Sequence, residues 1–261
     1  MSVLPAPLAP TRPAFLTRTT PAARLVAGTA WLVAAIVTLD PIVPARLFLA
    51  AIVALWLWSG LPLRRIPARL APLGFAILSL TVFSILLSSA NGDRSLATMA
   101  QIGPARITGP AISAGLAIGL RVVVIALTTL LVFGPSDPTR MADSLVQQWH
   151  VPDRFAYGTL AALRVAPFMA GDWATIGAAR RLRGLAPRGP VARVREAGGR
   201  LLVMLVSAIR RAERLALAMD ARGFDSGVRR THFRELRTNW RDWLTIVLSF
   251  AVAAAALFVA R

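Results

Sequence analysis

The chain has 261 residues, 56% of them hydrophobic, and a formal net charge of +18; its mean hydropathy of +0.61 exceeds what a soluble domain needs to fill one core. It contains no cysteine and no lysine, so every cationic residue other than histidine is arginine. The first absence excludes disulfide and thiolate chemistry. The second, with no Gly-rich loop, excludes a P-loop, whose lysine must reach the β and γ phosphates.

The N-terminal segment carries Arg12, Arg18 and Arg24 and no acid. With the apolar run Leu25 to Leu39 behind it, it has the outline of a signal peptide. However, Asp40-Pro41 follows rather than a small-x-small cleavage site, and a retained first span near 24–39 is expected. Apolar runs near 43–61, 70–89, 111–133 and 243–260 approach the length of about 20 residues that crosses a bilayer. The fold class expected is an all-α polytopic membrane protein of about five transmembrane helices. Its parts are an N-terminal segment 1–23, a four-span membrane domain 24–133, a basic domain 134–242 and a last span 243–261.

Within the fourth run, Gly115 and Gly119 form a Gly-x-x-x-Gly step that allows close helix approach, for membrane packing or partner contact. Arg121 costs about 2.5–3.5 kcal/mol at the centre of a span. It must face the bundle or a partner, or snorkel to the outer interface. Trp240 and Trp243 suit the headgroup belt at the start of the last span.

Arginine placement sets the orientation. Arg12, Arg18 and Arg24 precede the first span, and Arg64, Arg65 and Arg69 lie between the second and third. The opposite side carries only Arg46, Arg94, Arg106 and Arg261. The positive-inside bias places the N-terminus in the cytoplasm of a multi-pass protein of the cell's inner (plasma) membrane, and alternation of the spans then places 134–242 there as well. Segment 134–242 holds 19 arginines against 10 acids, which favours contact with anionic lipid, worth about 1 kcal/mol per arginine near the surface. Nucleic acid is not an expected partner, because the basic region is interleaved with spans and has no recognisable binding module.

Gly134-Pro135-Ser136 ends the fourth span. Asp137 reads as an N-cap with Pro138 at the first helical position, opening a short amphipathic helix to Trp149. His150-Val151-Pro152 breaks the chain. Residues 153–182 read as one long helix bent near Pro167, interrupted by Arg164 and turning basic at Ala178 to Arg183. Gly184 closes it, and Leu185 to Pro190 is a loop. A second long helix runs from about Val191 to Arg222. Its stripe of Leu201, Leu205, Ile209, Ala212, Leu215, Ala216 and Met219 recurs at helical spacing, and Gly223 closes it.

Thus two helices end alike, at Leu182-Arg183-Gly184 and Ala221-Arg222-Gly223, 39 residues apart. Glycine is common just past a helix end, and the helix dipole favours arginine in the last turn by about 0.3–1 kcal/mol. One such step means little. Two on one side of a membrane suggest levers with charged points, since arginine pairs bidentately with carboxylates. His150 and His232 lack ligand partners at metal-binding spacing, and the scattered acids form no acid–base pair. No catalytic or metal site and no cofactor of its own is expected.

At these residues the chain resembles the transmembrane T component of energy-coupling factor transporters, an ABC class that takes up vitamins and transition-metal ions. The likeness runs from about residue 20 and is strongest across 140–243. Ala218-Met219-Asp220-Ala221-Arg222-Gly223-Phe224 is similar to the second Ala-Arg-Gly signature and its flanks. Ala179-Arg180-Arg181-Leu182-Arg183-Gly184-Leu185 is similar to the first, with Leu182 where the family has Ala. Arg164-x-x-Pro167 resembles the stretch before it, and Ser207 to Arg214 and Trp240-Arg241-Asp242-Trp243 also fit. The resemblance implies long crossing cytoplasmic coupling helices whose signature arginines dock on two ABC ATPase subunits. Arg164, Pro167 and Asp220 would support them. It also implies a separate substrate-binding membrane S component as partner, with ATP and Mg bound by the partner subunits. Two other readings stay open. One is a conventional ABC permease forming the substrate path, loosely echoed by Ala178-Ala179…Gly184. The other is an Arg-rich membrane-anchored scaffold.

Overall fold

The computed structural model describes residues 14–38, 40–60, 64, 66–93, 95, 97–102, 105–185, 189–224 and 234–258. Arg12, Arg65, Arg94, Arg229, His232 and Arg261, with residues 1–13 of the N-terminal segment and 186–188 of the loop, lie outside the described residues. The helices are α1 (Pro21–Val37), α2 (Ile42–Trp58), α3 (Ile66–Leu86), α4 (Gly109–Phe133), α5 (Pro138–Trp149), α6 (Asp153–Leu182), α7 (Pro190–Asp220) and α8 (Trp240–Phe258). A two-stranded antiparallel hairpin, β1 (Thr98–Ile102) and β2 (Ala105–Thr108), precedes α4. The fold is that of an all-α polytopic membrane protein apart from this hairpin, which the sequence reading did not anticipate. By length and composition, the α3 region, α4 and α8 suffice to cross a membrane; α1 and α2 are apolar helices of 17 residues each. The chain divides into two compact units, one holding α1–α5 and α8, the other α6 and α7.

In the first unit, α1, α2, α4 and α8 surround a core that includes Trp31, Leu47, Leu55, Val124 and Leu127. Lipid tails are as apolar as leucine, so close packing rather than escape from water holds such helices together. Accordingly α1 turns a small-residue face inward, with Ala23, Ala27, Gly28, Ala30, Ala34 and Ala35 buried. A methyl group added at Gly28 would lie 2.5 Å from Val132 of α4.

The ends of these helices account for most of the buried polar groups. The first N–H groups of a helix lack internal partners. At α1, Thr20 N–H donates to Asp242 at 2.7 Å, Ala22 N–H to the Ser144 hydroxyl at 3.0 Å and Ala23 N–H to the Thr20 hydroxyl at 3.4 Å. Asp242 is fully buried and also accepts from Asn239 N–H at 2.8 Å. One carboxylate thereby joins the starts of α1 and α8, where the helix dipole favours negative charge. Ser144 brings α5 to the same place. Asp137 caps α5 through Thr139 N–H, with Pro138 at the first position, and His150 closes it in the left-handed conformation at φ 53°.

At the opposite end of α1, Arg121 of α4 donates to the carbonyls of Ala35, at 2.5 Å, and Thr38. Arg46 of α2 donates to the Ala256 carbonyl of α8 at 3.4 Å. Two arginines therefore satisfy the orphan carbonyls of two membrane helices, a requirement that hydrocarbon makes strict. Arg121 faces the bundle.

The N-terminal half of α4 packs on α3. Gly115 and Gly119 are buried there; a methyl at the first would strike Ile85 and at the second the Thr81 hydroxyl. Asn91 ties the two helices together. Its amide donates to the Ile85 carbonyl at 2.6 Å, and its oxygen accepts from Thr108 N–H at 3.1 Å, just before α4 begins.

Candidate functional site

The second unit is built from α6 and α7, helices of 30 and 31 residues. Helix α6 runs without a break through Pro167. Gly189 at φ 94° turns the chain, and Pro190 opens α7. Side-chain pairs fix the relation of the two helices. Arg180 lies 3.8 Å from Glu196, Gly177 faces Arg200, and Asp172 accepts from Arg211 at 2.9 Å. Farther along, Ala162 and Val165 share a groove with Ala212 and Leu215. Numbers fall along α6 as they rise along α7, so the helices are antiparallel neighbours. At 1.5 Å per residue each is about 45 Å long. Their C-terminal ends, and with them Arg183 and Arg222, lie at opposite ends of the pair.

Both ends have the same backbone. At the first, Gly184 adopts φ 76°, its N–H donates to the Arg181 carbonyl at 3.0 Å, and Leu185 N–H donates to the Arg180 carbonyl at 3.1 Å. At the second, Gly223 adopts φ 77°, its N–H donates to the Asp220 carbonyl at 2.8 Å, and Phe224 N–H donates to the Met219 carbonyl at 3.0 Å. This pair of bonds with a left-handed glycine is the Schellman motif. It demands glycine because an L side chain is disfavoured at such φ. Backbone amides close each helix, so the arginine before the glycine is not needed as a cap. Arg183 and Arg222 are exposed, and among the described residues neither is in an ion pair. Each is a fixed cation on a rigid end.

The surroundings differ. At the first end Arg180 and Arg181 precede Arg183, and the Leu182 side chain is 90% exposed, away from the rest of the unit. Just inside, Glu196, 9% exposed, lies between Arg180 and Arg200. Gly177 and Gly199 let these guanidinium groups rest directly on helix backbone, and Arg200 also lies 5.6 Å from the centre of the Trp173 ring. At the second end a groove of about 520 Å³ runs between the helices, lined by Arg154 and Met169 of α6 and by Ala212, Met219, Asp220 and Phe224. Arg164 borders the same region beside Leu215 and Phe224. The structure thus brings Arg164 and Asp220 toward the Arg222 end and keeps Arg183 apart from them. Pro167 is exposed in mid-helix. Gly115, Gly119 and Arg121 belong to the other unit.

The sequence reading missed Glu196, Arg200, Gly177 and Gly199. Glu196 and Arg200 stand four apart in one helix, a spacing that pairs opposite charges. The outer stripe of α7, including Leu201, Leu205 and Ile209, is left half exposed. An uncovered apolar stripe of that length marks an interaction surface.

Residues 14–233 match the family of cobalt transport proteins CbiQ. The chain is similar to the energy-coupling factor transporter transmembrane protein EcfT of Limosilactobacillus fermentum, 33% identical over 78% of this chain and 77% of the relative. It is also similar to the protein of that name in Bacillus subtilis, 32% identical over 62% of this chain and 64% of the relative. For the Listeria innocua protein the identity is 27%, over 95% of this chain and 94% of the relative.

Proposed function

The chain belongs to the family of energy-coupling factor transporter T components, and from that premise we propose that it joins two ABC ATPase subunits to a separate substrate-binding membrane subunit. Arg183 docks on one ATPase and Arg222 on the other. Motion driven by ATP passes through α6 and α7 and reorients the substrate-binding subunit, which imports a vitamin or a transition-metal ion. ATP and Mg belong to the ATPases; this chain is not an enzyme. It resides in the inner membrane, with the N-terminus and 134–242 in the cytoplasm.

The observation that carries this reading is the repetition of one helix end at two points about 45 Å apart along an antiparallel pair. Such a spacing suits two partners better than one. A planar guanidinium on a rigid end pairs bidentately with a carboxylate. It loses little conformational freedom in docking because the backbone beneath it is already fixed. The exposed stripe of α7 offers apolar surface beside the charged points.

The test is to replace both arginines, Arg183→Ala with Arg222→Ala, and purify the protein from membranes that also contain its ATPases. Loss of the ATPases is expected, with the substrate-binding subunit retained. Full retention of the ATPases sinks the proposal. A graded loss that merely tracks salt points instead to an Arg-rich scaffold. A complex without a second membrane subunit points to a permease that forms the path itself.

A further inference from the structure

The first unit contains a half-open cavity of about 240 Å³ between α1, α2, α4, α8 and the Phe15–Leu16 segment ahead of α1, with walls that are almost entirely apolar. Trp31, Trp58, Leu131, Leu248 and Val252 supply much of the lining. One charged side chain opens onto it, that of Arg24, which is only 3% exposed. Its Nε and Nη1 are buried and have no hydrogen-bond partner among the described residues. The Thr128 hydroxyl, 2% exposed in the same wall, likewise has none.

An unpartnered guanidinium in an apolar site is costly. Among the described residues, the charged groups acting on Arg24 are Asp242 and Arg140. The Asp242 carboxylate is already bonded to the amides of Thr20 and Asn239, and Arg140 donates to the Thr17 carbonyl at 3.1 Å. Two cations therefore face one anion. Helices α1 and α8 both begin at this end, and their dipoles add positive potential. The site is one negative charge short and offers an apolar trough beside the gap. A free inorganic anion would satisfy the charge and leave the trough empty.

We infer that the cavity binds an anionic phospholipid, its phosphate on Arg24 with the Thr128 hydroxyl as a further donor in the wall, and the first part of one acyl chain along Trp31, Leu131 and Leu248, the rest of the lipid leaving by the open side. In a bilayer this is the anionic amphiphile always at hand. Bound there, it would join α1, α2, α4 and α8 at the end where α5 also attaches.

The probe is phosphatidylglycerol with brominated acyl chains, titrated into the full chain in a neutral detergent. Brominated phosphatidylcholine serves as the comparison. Bromine quenches nearby tryptophan, and Trp31 and Trp58 line the cavity. The wild type is expected to show saturable quenching about tenfold tighter for phosphatidylglycerol, the factor given by about 1.4 kcal/mol. Arg24→Gln is expected to lose that preference and Arg24→Lys to keep most of it. Trp31→Phe should remove most of the saturable signal, whereas Trp56→Phe, at an outward-facing position, should not. Equal binding of the two lipids by the wild type overturns the inference even if Arg24→Gln fails to fold. So does a preference that survives in Arg24→Gln. Displacement of the brominated phosphatidylglycerol by inorganic phosphate alone would assign the site to a small anion instead.

Discussion

At the end of α6, Arg183 stands beside Arg180 and Arg181, with Leu182 outermost; at the end of α7, Arg222 is the only cation in its turn and Asp220 lies two residues before it. The backbone is the same at both, a left-handed glycine with two Schellman bonds. The first end sits on a charge sandwich, Arg180–Glu196–Arg200, and the second on an apolar groove edged by Arg164 and Phe224. The shared part is what a rigid charged point requires. The differing part suits two non-identical surfaces, or one surface met in two ways.

That difference can be broken in a definite order. Arg222→Ala removes the single cation of its end, whereas Arg183→Ala leaves Arg181 nearby. A charge-assisted hydrogen bond contributes about 1.5–3 kcal/mol, so substrate uptake should fall roughly tenfold or more for Arg222→Ala and only a few-fold for Arg183→Ala. Arg229→Ala, outside both ends, should cost less than Arg222→Ala; equal losses at 222 and 229 would count heavily against the helix ends as the joints. Next, Glu196→Gln leaves Arg180 and Arg200 facing each other. Removing one partner of a fully buried pair costs about 3–5 kcal/mol; with water at the edge of this site, about 2 kcal/mol is expected, read as a lower thermal midpoint of the purified protein. An unchanged midpoint would show that the sandwich does not hold α6 to α7.

Smaller effects sharpen the likeness. Gly184→Ala and Gly223→Ala each force a Cβ into left-handed backbone, at about 1 kcal/mol. Similar losses of ATPase capture are expected from both, measured by co-purification; a loss at one end only would mean that the shared geometry is incidental. Leu182→Ala should do least. Its side chain is 90% exposed, so uptake within about twofold of wild type is expected if partner contact runs through the arginine. A large loss would make Leu182 itself part of the interface.

Much of this was legible in the sequence because glycine and proline act locally. Gly184 and Gly223 announce left-handed ends, Pro138 and Asp137 a helix start, and the apolar runs the membrane helices. What was not legible depends on partners distant in sequence. Nothing near Asp242 says that it caps the start of α1, 222 residues away. Nothing near Arg121 says that its guanidinium meets the closing carbonyls of α1. The β1–β2 hairpin escaped notice because its strands are short and lack a strong alternating pattern. The role of Glu196 is not legible because its second partner, Arg180, lies in another helix, in room that Gly199 makes for the guanidinium.

The most direct measurement places photo-crosslinking residues at Leu182 and Ala221 in the assembled complex and identifies what each captures. If the two helix ends are the joints, each position captures an ATPase subunit, one apiece, and capture at either position is lost when its neighbouring arginine is neutralised. Capture of lipid, or of nothing, at both positions in a complex that still holds its ATPases would contradict the coupling role assigned to Arg183 and Arg222.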